Sequence, residues 1–196
     1  MPTDRSDDRK RVSPAKFAHF VVRTHPDRID TLVEWYCNLL QADIVFRNPF
    51  AAFMTYDDEH HRVAVVAMPG LVDRPAQSTG IDHLAFTYAS LGDLIHTYER
   101  LLTDGVTPAM PIHHGPTLSL YYLDPDGNQV ELQIDVFATS DEVDAYLTSG
   151  AFERNPIGVS FDPAELARRF HAGEPEAELI RPLDGPPPSF DDFPVH

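Results

Sequence analysis

A chain of 196 residues, 42% of them apolar, can bury one substantial core, and no apolar run reaches the length of a membrane span. The formal net charge of −16 speaks against nucleic acid as a partner, because phosphate binding wants clustered Lys and Arg. A single cysteine, Cys37, excludes a disulfide framework within the chain, and the polar N-terminus has no apolar stretch like that of a secretory signal, so the expected setting is cytoplasmic and away from membranes.

In chain order, residues 1–15 have the composition of a disordered arm. Phe-Ala-His-Phe-Val-Val over 17–22 then reads as a buried strand carrying His19. Ile29, Leu32, Val33, Tyr36, Leu39 and Leu40 follow helical spacing, which predicts an amphipathic helix to about residue 40. Three short strands are expected at 43–46, 52–56 and 62–67, with Asp57-Asp58-Glu59-His60-His61 in the loop before the last. Pro and Gly punctuate a linker from 69 to 80.

The same order then begins again. Ile81 to Phe86 reads as a strand carrying His83. Leu91, Leu94, Ile95, Tyr98, Leu101 and Leu102 predict a helix that Gly105 stops at the C′ position. A strand near 107–112 follows. Leu-Val-x-x-Tyr-x-x-Leu-Leu from Leu32 matches Leu-Ile-x-x-Tyr-x-x-Leu-Leu from Leu94, and His19 falls on His83 with a two-residue gap. The chain therefore contains an internal duplication. The expected fold is α+β: two tandem βαβββ modules, 16–68 and 80–137, forming a cupped mixed sheet within one domain over 16–137. Residues 138–196 form a helical and Pro-rich extension. In it, Thr139 to Glu142 resembles a capping box before a helix to about 147, and Asp162-Pro163 starts a second helix running to about 171.

The second module ends in a hairpin. Two apolar-rich runs flank Asp124-Pro125-Asp126-Gly127, where Pro presets φ and Gly supplies φ > 0. A three-residue loop at 125–127 sets Tyr121 directly opposite Glu131 on one face of the sheet.

His19, His83 and Glu131 thus supply two imidazoles and one carboxylate from three strands. That is the donor set of a non-haem Fe(II) site with open coordination positions, and Mn(II) could use it as well. Singly, each histidine reads as an ordinary sheet residue and the glutamate as part of a solvated face. The shared slot in the repeat is what raises them together. Overlaying Val63-Ala64-Val65 on Val130-Glu131-Leu132 puts Ala64 where a fourth protein ligand would stand, and alanine cannot coordinate.

These residues carry a resemblance. Ala18-His19-Phe20, Asp82-His83-Leu84 and the run Leu120-Tyr121-x-x-Asp-Pro-Asp-Gly-x-x-Val130-Glu131-Leu132 resemble the vicinal oxygen chelate (glyoxalase/bleomycin resistance/extradiol dioxygenase) superfamily over about 16–137. Within it the chain looks most like the one-domain type I extradiol dioxygenases that cleave biphenyl-2,3-diol or catechol. The resemblance implies Fe(II)-dependent ring cleavage of an aromatic diol with O₂, with His19, His83 and Glu131 as metal ligands. It further implies His61 as pocket acid–base, Tyr121 as hydrogen-bond donor, and a further histidine, His113 or His114, just upstream of that tyrosine. A homodimer or higher homo-oligomer is expected, because a one-domain chain must close its pocket with its own tail or with a partner subunit. Rival readings are another three-ligand metalloenzyme of the superfamily (a thiol transferase or an α-keto-acid dioxygenase) and a metal-free binding or resistance protein.

Overall fold

The structure, a computed structural model, describes residues 12–75 and 78–189, so most of the arm expected over 1–15 lies outside the described residues. Two βαβββ units follow one another. The first is β1 (Phe20–Thr24), α1 (Ile29–Leu40), β2 (Asp43–Arg47), β3 (Ala51–Thr55) and β4 (Val63–Ala67). The second is β5 (His83–Thr87), α2 (Leu91–Thr103), β6 (Met110–His113), β7 (Thr117–Leu123) and β8 (Gln129–Asp135). Their strand orders are the same, β1-β4-β3-β2 and β5-β8-β7-β6, with the first and last strands of each unit parallel. The duplication read from the sequence is thus a repeat of topology.

The helix bounds follow from periodicity. In α1, Leu32, Val33, Tyr36 and Leu39 are fully buried, and in α2 Leu91 and Leu101 are. Both stripes pack on Val63, Val65, Val130 and Leu132 in one continuous core. Ser90 caps α2 by accepting from Asp93 N–H, and Gly105 follows its end at φ 76°.

The hairpin forms as expected. Gly127 adopts φ 81°, Asp124 and Asn128 close the loop, and Tyr121 pairs with Glu131. The Asp124 carboxylate is 4% exposed and accepts from Asp126 N–H, from the backbone and side-chain amides of Asn128, and from the Tyr36 hydroxyl at 3.0 Å. The loop is therefore tied to α1 of the other unit. We predict that Asp124→Ala, which strands the buried Tyr36 hydroxyl and the part-buried donors of Asp126 and Asn128, lowers stability by about 2–3 kcal/mol. For a chain of this size that is a melting-temperature loss of roughly 4–12 °C, readable by calorimetry.

Two expectations need correction. The first strand starts at Phe20, not 17, and His19 precedes it on the exposed side. The reason lies in Arg62, whose guanidinium takes the carbonyls of Phe17 and Ala18 at 2.6 and 3.0 Å, while its own carbonyl accepts from Phe20 N–H at 3.1 Å, where the pairing of β1 with β4 begins. The extension is also more tightly joined than its composition suggests. After α3 (Ser140–Thr148), which the expected capping box starts, come α4 (Ala151–Arg154) and β9 (Val159–Ser160). The latter adds to the edge of β6. The helix α5 (Pro163–His171) packs on α2, and the short α6 (Glu176–Leu179) buries Leu179.

Candidate active site

Strand register decides which side chains share a face. Val21 pairs with Ala64, and Ala85 with Glu131, each two residues beyond the histidine of its unit. Ala64 therefore holds the slot that Glu131 holds in the second unit. Across β8 and β7 the same face carries Glu131 and Tyr121, with Met110 opposite Tyr121 on β6.

His83 and Glu131 meet directly. His83 Nε2 lies 3.0 Å from a Glu131 carboxylate oxygen, and His83 Nδ1 lies 2.7 Å from Asp82. The hydrogen bond to Glu131 pushes the His83 pKa up to about 9 against the opposing effect of burial, with Asp82 adding to the rise. Burial alone would raise the Glu131 pKa, but hydrogen bonds from His83, Ser119 and Tyr121 outweigh it and keep the carboxyl ionised. Tyr121 sets its ring edge-on to His83 at 5.2 Å, and burial followed by the Glu131 charge holds its phenol protonated.

Beside this pair the structure distinguishes the two upstream histidines. His113 pairs with Leu118 and shares its helix-side face, where its Nε2 donates to the Ile180 carbonyl at 2.9 Å. His114 is one residue on and faces the opposite way. Its Nε2 lies 2.9 Å from the Tyr121 hydroxyl. Of the two candidates, His114 is the one at the cleft, and His113 anchors the extension. The cleft, about 290 Å³, is walled by His83, His114, Tyr121 and Met110 and by Pro156 and Ile157 of the extension. A second cavity of about 450 Å³ runs along β1 and β5 and shares His83 and Asp82 with the first.

The first unit contributes a histidine cluster. The rings of His19 and His61 are 4.3 Å apart, and His61 stacks on Phe53 at 4.9 Å and 20°. His60 touches His61, Nδ1 to Nδ1 at 2.6 Å, but its side chain is 67% exposed. Burial, then the neighbouring His19 and His60, lowers the His61 pKa, which leaves its imidazole neutral, with a nitrogen free to accept a proton, at neutral pH.

His19 is not brought into contact with His83 and Glu131. Among the described residues, no three His, Cys, Asp or Glu side chains stand close enough together to hold a metal ion. The His83–Glu131 pair nonetheless fits a divalent cation. One imidazole nitrogen is anchored on a carboxylate and the other is aimed at a buried carboxylate, the way ligand histidines are oriented. Sequence reasoning gives no role to Asp82, although it stands in the His83 motif, nor to Phe53 or the wall from the extension. Asp82 precedes His83 directly, and Asn155-Pro156 with Gly158 is a turn signal, so both left a trace.

Residues 16–132 match the model of the Glyoxalase/Bleomycin resistance protein/Dioxygenase superfamily. Two proteins of Rhodococcus globerulus are similar over most of their length. Biphenyl-2,3-diol 1,2-dioxygenase 2 is 47% identical, over 82% of this chain and 84% of that protein. Biphenyl-2,3-diol 1,2-dioxygenase 3 is 46% identical, over 84% and 86%. Among solved structures, a glyoxylase/bleomycin resistance protein/dioxygenase domain from Frankia sp. EAN1pec shares the fold with a TM-score of 0.51 at 20% identity, covering 63% of this chain and 99% of that one.

Proposed function

This chain belongs to the Glyoxalase/Bleomycin resistance protein/Dioxygenase superfamily, and from that premise we infer that it is an extradiol dioxygenase, cleaving the ring of a catechol-type aromatic diol with O₂. The observation that carries this reading is the near-half identity to two biphenyl-2,3-diol dioxygenases across more than four-fifths of the chain. The reaction is metal-dependent in that group. We assign the metal as Fe(II), with Mn(II) as the other candidate, and its ligands as His83, Glu131 and, by the symmetry of the repeat, His19. Bound there, the metal would supply two-point chelation of the diol and the one-electron chemistry that O₂ requires.

The chain's own groups do the rest. His61, neutral and stacked on Phe53, takes a proton from the diol hydroxyl and later returns one to oxygen. Tyr121, kept protonated, stands beside Glu131 to hydrogen-bond a substrate oxygen as negative charge develops on it. His114 holds the Tyr121 hydroxyl. The face of the first unit that carries Val21, Ala64, Phe53 and Phe46 is apolar and suits an aromatic ring.

Among the described residues no helix is long and apolar enough to cross a membrane. We hold to a cytoplasmic location and to self-association. The edge strand β2 supports the latter, since it exposes Ile44, Val45 and Phe46. Sedimentation as a monomer at micromolar concentration would refute it.

The function is tested by anaerobic loading with Fe(II), then a panel of catechol, biphenyl-2,3-diol and alkyl catechols in air. A yellow ring-fission product with stoichiometric O₂ uptake is expected. Metal uptake without diol-dependent O₂ consumption would favour a different three-ligand enzyme of the superfamily.

A further inference from the structure

The loop that joins α4 to β9 is built around one side chain. Asn155 Oδ1 accepts from Ile157 N–H at 3.2 Å and Gly158 N–H at 2.9 Å, while Nδ2 donates to the carbonyls of Gly158 at 2.8 Å and Gly185 at 3.1 Å. Both donors and both acceptor sites of the amide are used, which also fixes its orientation. Gly158 sits at φ 107°, and a Cβ there would run into the His113 carbonyl and come within 2.8 Å of His114 Cα. The loop therefore lies flush on the His113–His114 backbone, and Val159 pairs with His113 immediately after it.

This contact delivers one group to the cleft. The Ile157 carbonyl oxygen stands 2.5 Å from His114 Nδ1. A carbonyl can only accept, so the proton is on Nδ1. Burial lowers the His114 pKa and favours the neutral ring, so Nε2 is bare and must accept. The group it faces at 2.9 Å is the Tyr121 hydroxyl. The phenol proton then has two acceptors within reach, His114 Nε2 and the Glu131 carboxylate, and His114 does not compete for the phenol lone pairs. With the other tautomer, Nε2–H would donate to the phenol oxygen and leave the phenol proton to Glu131 alone.

We propose that the C-terminal extension sets the tautomer of His114: Asn155 is a positioning residue that holds the Ile157 carbonyl on His114 Nδ1, and so keeps Nε2 open as an acceptor beside the Tyr121 hydroxyl. The extension is then part of the reacting apparatus, acting through two hydrogen bonds, as well as a wall of the cleft. The catalytic consequence rests on the dioxygenase reading, whereas the tautomer does not.

The test is a long-range proton–nitrogen correlation spectrum of the full chain, labelled at histidine, with no metal added. His114 is assigned by the signals missing in His114→Gln. The wild type is expected to show the Nδ1–H pattern at neutral pH. An Nε2–H or doubly protonated His114 overturns the proposal without recourse to any variant that might misfold. Tyr121→Phe should keep the Nδ1–H pattern, because the carbonyl sets it and not the phenol. Asn155→Ala should shift it towards Nε2–H. The reverse pair of results overturns the assignment. With diol and Fe(II), Asn155→Ala should lower kcat, by up to about 100-fold, with little change in KM, as expected when a reacting group is misaimed. A tautomer that moves while kcat stays unchanged overturns the catalytic part. If the wild type itself cleaves no diol, the function fails, and the spectrum still decides the tautomer.

Discussion

His61→Ala is expected to retain its metal and bind the diol, yet turn over about 10²–10⁴-fold more slowly, the usual contribution of a positioned acid–base group. The expectation rests on how the two neighbouring histidines differ. His61 is half-buried, stacks on Phe53 and lies 4.3 Å from the His19 ring, whereas His60 is turned to solvent beside Glu59. Burial together with two nearby imidazoles disfavours a charged His61, so at neutral pH the ring can accept a proton from the diol. His60→Ala should therefore leave kcat near wild type, apart from losing the Nδ1–Nδ1 contact that restrains the His61 ring. Stopped-flow single turnovers separate the steps: diol binding at the wild-type rate followed by slow product formation is the expected trace. Loss of metal in His61→Ala would make the residue a ligand. Crippled turnover in His60→Ala with an active His61→Ala would move the assignment by one residue.

Much of this site was legible in the sequence because it depends on local chemistry. The three-residue loop at 125–127 sets the register of β7 on β8, and with it Tyr121 opposite Glu131. Helical spacing sets the bounds of α1, and the repeat of that spacing in α2 marks the duplication. The pairing of Ala64 with Val21 repeats that of Glu131 with Ala85, so the missing fourth ligand could be read by overlay alone. What was not legible depends on distant segments. Which of His113 and His114 faces the cleft follows from the pairing of β6 with β7, where Met110 falls opposite Tyr121 and His113 opposite Leu118. The start of β1 depends on a guanidinium 45 residues away from Phe17. A two-residue strand such as β9 has no periodicity to detect, yet it seats the loop that reaches His114.

Replacing His83 should abolish metal binding, and the form of the replacement decides how clean the result is. His83→Ala removes both the ligand and the main partner of Glu131, whose side chain is 5% exposed. The carboxylate would keep only Ser119 and Tyr121 as donors, and burial would then push its pKa upward. A fully buried pair broken in this way costs about 3–5 kcal/mol; His83 is 32% exposed, so solvent screens part of the loss and the cost falls below that range. At about 2–4 °C per kcal/mol for a chain of this size, His83→Ala is expected to melt several degrees lower and still fold. Glu131→Gln is the complementary variant. It removes the charge but keeps the shape and a carbonyl for His83 Nε2–H, so stability should change less while metal is lost all the same. Metal content by mass spectrometry, paired with calorimetry on both variants, gives the answer. Full metal occupancy in either would place the ion elsewhere. Loss in both, with His19→Ala behaving the same way, is the result expected if one ion draws the two halves of the cup together.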